Sequence, residues 1–179
     1  MNVREFTGSQ KTDIKDISIE SAEMAHTMYD LAYKFTIDGK TIVVSGDTSY
    51  NEDLINLAKN ADLFVLDGLF IIYALQPPAK NPPEREDIGK REIDRKIQEP
   101  TDTHSGRFSV ESHSNYRDII KIISETRPKK LILTHLFSGY TGNPDPYTEE
   151  LLDKVRNDLK EAEFDGEVYF AKDGLETGI

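Results

Sequence analysis

The stretch TIVVSGDTSYNEDLINLAKNADLFVLDG, residues 41–68, decides the fold. Its first four residues, Thr41–Val44, are all β-branched and read as a buried strand that ends in the polar cluster Ser45-Gly46-Asp47-Thr48. Between Asn51 and Asn60 the apolar Leu54, Ile55, Leu57 and Ala58 recur at helical spacing, and Leu63–Leu66 is a short continuous apolar run closed by Asp67-Gly68. Strand, helix and strand follow one another, which is the unit from which parallel sheets are built. Both strands end in a carboxylate.

Upstream, LAYKFTI (31–37) alternates as a half-buried strand does, and Asp38-Gly39 joins it to Thr41–Val44 by the strongest short hairpin signal. Before it, over Asp16–Ala25, the pattern Ile17, Ile19, Ala22 is broken by polar residues and alternates less clearly than 31–37. Downstream, Gln76–Arg107 concentrates Pro77, Pro78, Pro82, Pro83 and Pro100 among many charges, and reads as a polar excursion with one short helix between Glu84 and Ile97. Regular structure resumes near Ser112. There Ile119, Ile120, Ile122 and Ile123 give one face of a helix that stops before Arg127-Pro128. Leu131–Leu133 is a strand leading into Thr134-His135, Thr148 caps a helix carrying Leu151, Leu152, Val155 and Leu159, and Val168–Ala171 is a last strand. The class is α/β with short antiparallel additions, in one domain spanning all 179 residues.

Composition narrows the chemistry. With 33 acidic and 22 basic side chains the net charge is -11, which argues against nucleic-acid binding by bulk electrostatics. The run Lys90, Arg91, Arg95, Lys96 alternates with Glu92 and Asp94 and reads as a solvated face. There is no cysteine, so any metal has to be held by histidine and carboxylate. No segment approaches the roughly 20 apolar residues of a membrane span, so no membrane partner and a cytoplasmic location are expected.

Three strand ends carry a ligand-type side chain: Asp47, Asp67 and His135. His26 lies just before LAYKFTI, and His113 opens the helix that precedes the strand reaching His135; only His104 sits inside the polar excursion. Strand C-termini are where α/β folds hold reactive groups rigidly while leaving them accessible. Each residue alone has an ordinary reading: Asp47 caps the helix near Asn51, Asp67 opens a turn with Gly68, and a single histidine is more often structural. Taken together, they point to a site.

With ESHSNYRDIIKII (111–123) and PKKLILTHLFSGY (128–140), these stretches resemble the second half of metallo-β-lactamase-fold enzymes, in the ribonuclease Z, phosphodiesterase and arylsulfatase-like branches. The spacings fit the pattern, His26 standing 21 residues before Asp47 and His113 22 before His135. The resemblance implies half of an αββα sandwich, a mixed sheet with flanking helices. It implies His26, Asp47 and His135 as metal ligands, with Asp47 bridging two cations. His113 becomes a non-ligand acid/base and Asp67, where the family more often has Glu, its orienting carboxylate. The cation is Zn²⁺, up to two in a complete site, with Mn²⁺ or Fe²⁺ as alternatives. The implied reaction is hydrolysis of a phosphoester, sulfate ester or lactone by a metal-bound hydroxide. A small-molecule ester is expected rather than RNA, because no glycine-and-lysine-rich arm is present.

The family's other ligands lie in an HxHxDH motif, and none occurs among these residues. Activity then depends on that motif being supplied. A sheet face left without its mate predicts homo-oligomerisation or association with a complementary N-terminal half. Two other readings compete: an inactive half-domain that serves as an interaction module, and a doubly wound domain whose Asp47 and Asp67 hold Mg²⁺. The last leaves His26, His113 and His135 without a role.

Overall fold

Asp38-Gly39 makes the tight turn its sequence specifies. The strands β3 (Leu31–Ile37) and β4 (Lys40–Val44) pair antiparallel with Ile37 opposite Lys40. Positive φ at both turn residues, +50° at Asp38 and +75° at Gly39, matches the right-handed twist of the flanking strands. A computed structural model of the chain describes residues 5–71, 74, 112–136 and 148–179. The excursion at 76–107, with its basic run and His104, lies outside them.

Two strands precede this hairpin, β1 (Gln10–Ile14) and β2 (Ile17–Glu23), and three follow it, β5 (Leu63–Asp67), β6 (Lys130–Thr134) and β7 (Glu167–Phe170). All seven form one mixed sheet in which spatial order equals chain order. The β1-to-β4 pairs are antiparallel, and β4 to β7 run parallel. Among the described residues the helices are α1 (Glu52–Ala58), α2 (Tyr116–Thr126) and α3 (Glu149–Glu161). Each is started by a side-chain cap: Asn51 accepts from Asp53 N, Asn115 from Asp118 N and Thr148 from Leu151 N. Helix α2 ends where Arg127 turns left-handed at φ +47°, one residue before Pro128.

One core fills the space between the helices and one sheet face. Val43, Phe64, Leu66, Leu131, Leu133, Val168 and Phe170 meet Leu54, Ile119, Ile122, Ile123, Leu151, Val155 and Leu159 in a single cluster. Ile119, Ile122 and Ile123 are fully buried, each contributing about 1.5–3 kcal/mol. The alternate strand positions, among them Ile42, Val44, Leu63, Val65 and Ile132, point to the other face and are half-buried or exposed. The alternation also decides where Asp67 goes, since it continues the row Leu63, Val65 on that second face.

Strand β1 carries no signal in the sequence pattern, and one boundary differs from the expectation. The strand β1 has one apolar residue in QKTDI, because its side chains are largely exposed at the edge of the sheet and burial imposes no alternation. His113 precedes the cap of α2 rather than opening the helix, so its ring is placed by a loop.

Candidate functional site

Strands β4, β5 and β6 end side by side. The parallel pairing continues past β4, with Ser45 N–H donating to Val65 O at 3.0 Å, and Asp67 N–H donates to Ser45 Oγ at 3.0 Å. Gly68 N–H donates to Thr134 O at 2.8 Å. A Cβ at Gly68 would stand 3.1 Å from both Thr134 O and Leu133 Cβ, so the missing side chain is what lets the end of β5 lie against β6. His135 then leaves the strand at φ +57°, a left-handed conformation that costs a non-glycine residue about 1–2 kcal/mol. That cost turns the imidazole back over the strand ends.

Asp67 is the hub of the site. Buried to 1% exposure, its Oδ2 accepts from Thr48 N at 3.2 Å and lies 2.5 Å from His113 Nδ1. Its Oδ1 accepts from Leu69 N at 3.1 Å and lies 3.4 Å from His135 Nδ1. Burial by itself would push this carboxyl up. The hydrogen bonds from His113, His135 and Leu69 outweigh it and hold the group down at about 2. His135 Nδ1 also lies 3.1 Å from Asp47 Oδ1. The His135 imidazole is pushed up in pKa, by Asp67 first and Asp47 second. The farther carboxylate dominates because it is shielded from solvent, whereas the Asp47 side chain is 43% exposed.

His113 is fixed from both sides. Ser114 N–H and Oγ–H donate to Thr48 O, at 2.9 and 3.2 Å, and Ser112 Oγ lies 2.8 Å from Thr27 Oγ1. Both serines and Thr48 are buried. The rings of Phe70, His26 and His135 stand edge-on to His113 at centroid distances of 6.2, 5.5 and 5.0 Å. The sequence reading passed over this hydroxyl shell, although the Ser-His-Ser run at 112–114 was its local signal.

Four of the five expected residues come together: one donor atom from each of Asp47, Asp67, His113 and His135 lies within 4.8 Å of the others. His26 stands outside that group. Its Nδ1 is 3.2 Å from both N and O of Met28, so its remaining donor is Nε2. The ligand set read from the sequence, His26 with Asp47 and His135, is thus only partly assembled, and Asp67 comes nearer than His26. Asp30 was not singled out at all. It accepts from Leu31 N and Asp47 N, each at 2.7 Å.

The donors suit a divalent cation. Adjacent ligands of a tetrahedral ion at about 2.1 Å are about 3.4 Å apart. The separations of His135 Nδ1 from the two carboxylates, 3.1 and 3.4 Å, match that spacing. With only oxygen and nitrogen donors, Zn²⁺, Mn²⁺ and Fe²⁺ all remain suitable. A cavity of about 260 Å³ between α3 and the start of β7, lined by Arg156, Leu159, Lys160 and Phe164 among others, lies at the opposite strand ends and takes no part.

No protein-family profile matches the chain. A curated relative, ribonuclease Z of Haloarcula marismortui, is 28% identical over 141 residues, covering 79% of this chain and 33% of the relative. The chain therefore spans about a third of that protein's length. Among solved structures, the metallo-β-lactamase-fold protein YhfI of Bacillus subtilis superposes with a TM-score of 0.59 at 23% identity, over 95% of this chain and 53% of that one. Zn²⁺-bound PqqB of Methylobacterium extorquens gives a TM-score of 0.56 at 12% identity, over 97% and 55%. The sheet and helices described above are those of the metallo-β-lactamase fold, over part of its length.

Proposed function

We propose that the ends of β4, β5 and β6 form one side of a metal-dependent hydrolytic centre, similar to that of ribonuclease Z, acting on a phosphodiester. The observation that carries this reading is the double use of Asp67, one oxygen 2.5 Å from His113 Nδ1 and the other 3.4 Å from His135 Nδ1. A single buried carboxylate ties the acid–base imidazole to the cation ligands.

Asp47 and His135 would hold the cation, with Asp67 Oδ1 in reach, and His26 adds Nε2 from the neighbouring loop. When bound, the cation supplies Lewis acidity and lowers the pKa of water towards neutrality. Asp67 keeps the Nδ1 proton of His113 in place, which leaves Nε2 for the reaction. Doubly protonated, His113 hands its Nε2 proton to the leaving oxygen while the Asp67 charge stabilises the imidazolium; such a step contributes about 10²–10⁴ in rate. Ser112, Ser114 and Thr48 hold the backbone on either side of His113 while this happens.

The relative's name, ribonuclease Z, favours a phosphodiester over the small sulfate ester or lactone expected from the sequence. A net charge of -11 makes broad contacts with an RNA backbone unfavourable, so recognition falls to the centre itself.

The test is calorimetric titration of the purified chain with Zn²⁺, wild type against Asp47→Ala, followed by assay of bis(p-nitrophenyl) phosphate and a short RNA. Wild type is expected to bind Zn²⁺, and to bind it more tightly as pH rises, because the His135 imidazole that Asp67 holds up in pKa coordinates only in its neutral form. Asp47→Ala is expected to lose binding by more than the 10–100-fold typical of outer-sphere changes. A wild-type chain that binds no divalent cation refutes the reading and leaves the interaction module as the better account.

A further inference from the structure

We propose that Asp30 is a positioning residue for Asp47: its carboxylate holds the Ser45-Gly46-Asp47 loop in the conformation that presents Asp47 to a cation. The inference rests on the metal-site reading above and adds to it a residue outside the four-donor group. Asp30 sits immediately before β3 and is anchored through its backbone, its carbonyl accepting from Met24 N at 3.0 Å. Its side chain uses both oxygens on backbone donors, Oδ1 on Leu31 N and Oδ2 on Asp47 N, each at 2.7 Å. One carboxylate thus fastens the start of β3 to the backbone of a ligand just past the end of the neighbouring strand β4.

A second observation comes from the opposite side of the contact. Gly46 adopts φ +63°, and a Cβ built there would stand 2.7 Å from Asp30 Oδ2, 2.9 Å from Oδ1 and 3.0 Å from Cγ. The carboxylate lies directly against the Gly46 backbone, so the loop is closed by two complementary features: an acid short enough to reach and a residue with no side chain in its way. The geometry also selects a carboxylate over an amide. Both oxygens accept from N–H groups, and asparagine can serve only one of them before its NH₂ faces a donor. Outer-sphere groups that orient a ligand typically change cation affinity 10–100-fold when removed.

Co²⁺ is the probe, its visible absorption reporting both affinity and coordination. Wild type, Asp30→Ala, Asp30→Asn, Gly46→Ala, the Asp30→Ala/Gly46→Ala double variant and Asp47→Ala are titrated, each checked for folding by circular dichroism. Amide exchange at Asp47 is followed by NMR without metal. Asp30→Ala is expected to weaken Co²⁺ about 10–100-fold and to unprotect the Asp47 amide, with Asp30→Asn intermediate in both. Gly46→Ala should weaken Co²⁺ in the wild-type background and cost less affinity in the Asp30→Ala background, because the atoms it strikes are then gone. If Asp30→Ala does not fold, the near-isosteric asparagine variant carries the test.

Unchanged Co²⁺ affinity and a still-protected Asp47 amide in a folded Asp30 variant overturn the proposal while leaving the metal site intact. Lower thermal stability with unchanged affinity also overturns it, since that is a purely structural role. A wild-type chain that ignores Co²⁺ overturns both readings together, a result distinguishable from the first because there the wild type binds and Asp47→Ala does not.

Discussion

Replacing Asp67 by asparagine tests whether this carboxylate is the hub described. In either amide orientation, the new NH₂ meets a backbone N–H: that of Thr48 on the Oδ2 side, or that of Leu69 on the Oδ1 side. The loss combines a hydrogen bond to a charged acceptor, about 1.5–3 kcal/mol, with a buried donor left opposed, about 1–3 kcal/mol. These overlap, and about 3 kcal/mol is expected in total. With an m-value of about 2 kcal/mol/M, the urea midpoint at pH 7 in chelator falls by about 1.5 M. The pH dependence gives an independent reading. Asp67 drops from 3.8 to about 2 on folding, worth about 2 kcal/mol. Because the folded value is the lower one, this stabilisation is fully present above about pH 4 and is lost as pH falls towards 2. His135 behaves in the opposite sense. Its value is raised from 6.5, so its share is present below that pH and fades as pH rises through the folded value. Part of each limb is the same Asp67–His135 contact seen from its two ends, so they are not summed. Both limbs should flatten in Asp67→Asn. A variant whose midpoint lies within about 0.3 M of wild type, with its acid limb intact, would falsify the hub.

Two further substitutions probe the strand ends. At most positions alanine is more stable than glycine, but at residue 135, with φ +57°, His135→Gly should exceed His135→Ala by about 1 kcal/mol in urea unfolding, while neither binds Zn²⁺ tightly. Equal stability of the pair would mean that the left-handed turn is absent in solution. Gly68→Ala should cost about 1–3 kcal/mol, since the added Cβ meets the fixed carbonyl of Thr134 at 3.1 Å. It should also lower Zn²⁺ affinity by moving Asp67 away from His135, and an unaltered titration argues against that coupling.

Much of the sheet was readable locally because burial and turn chemistry act on neighbouring residues. Asp38-Gly39 fixed the β3–β4 hairpin, and the apolar runs of β4, β5 and β6 are continuous where the strands lie in the middle of the sheet. The strand β1 was illegible for the converse reason, as an exposed edge places no demand on QKTDI. The ligand-type residues at strand ends stood out because their positions relative to apolar runs are a one-dimensional pattern. Which of them converge was not, and His26 shows why: its ring depends on the local fold of the loop through Met28. Asp67 opens a turn through Leu69 N and lies within contact distance of both His113 and His135. Asp30 had no local signature, since its importance comes from a contact 17 residues away that the sequence marks only by the glycine at 46.

The unbroken chain order of the sheet has a metrological consequence. Neighbouring strands are spaced about 4.8 Å apart by their peptide hydrogen bonds, whatever their side chains. Asp67 faces Thr134 across one such step, with His135 next along. The interval between Asp67 and the strand end that carries His135 is therefore calibrated by backbone pairing. Loops can be exchanged without rescaling it, whereas a one-residue slip of β5 would bring Leu66 round and turn Asp67 into the oily side of the sheet.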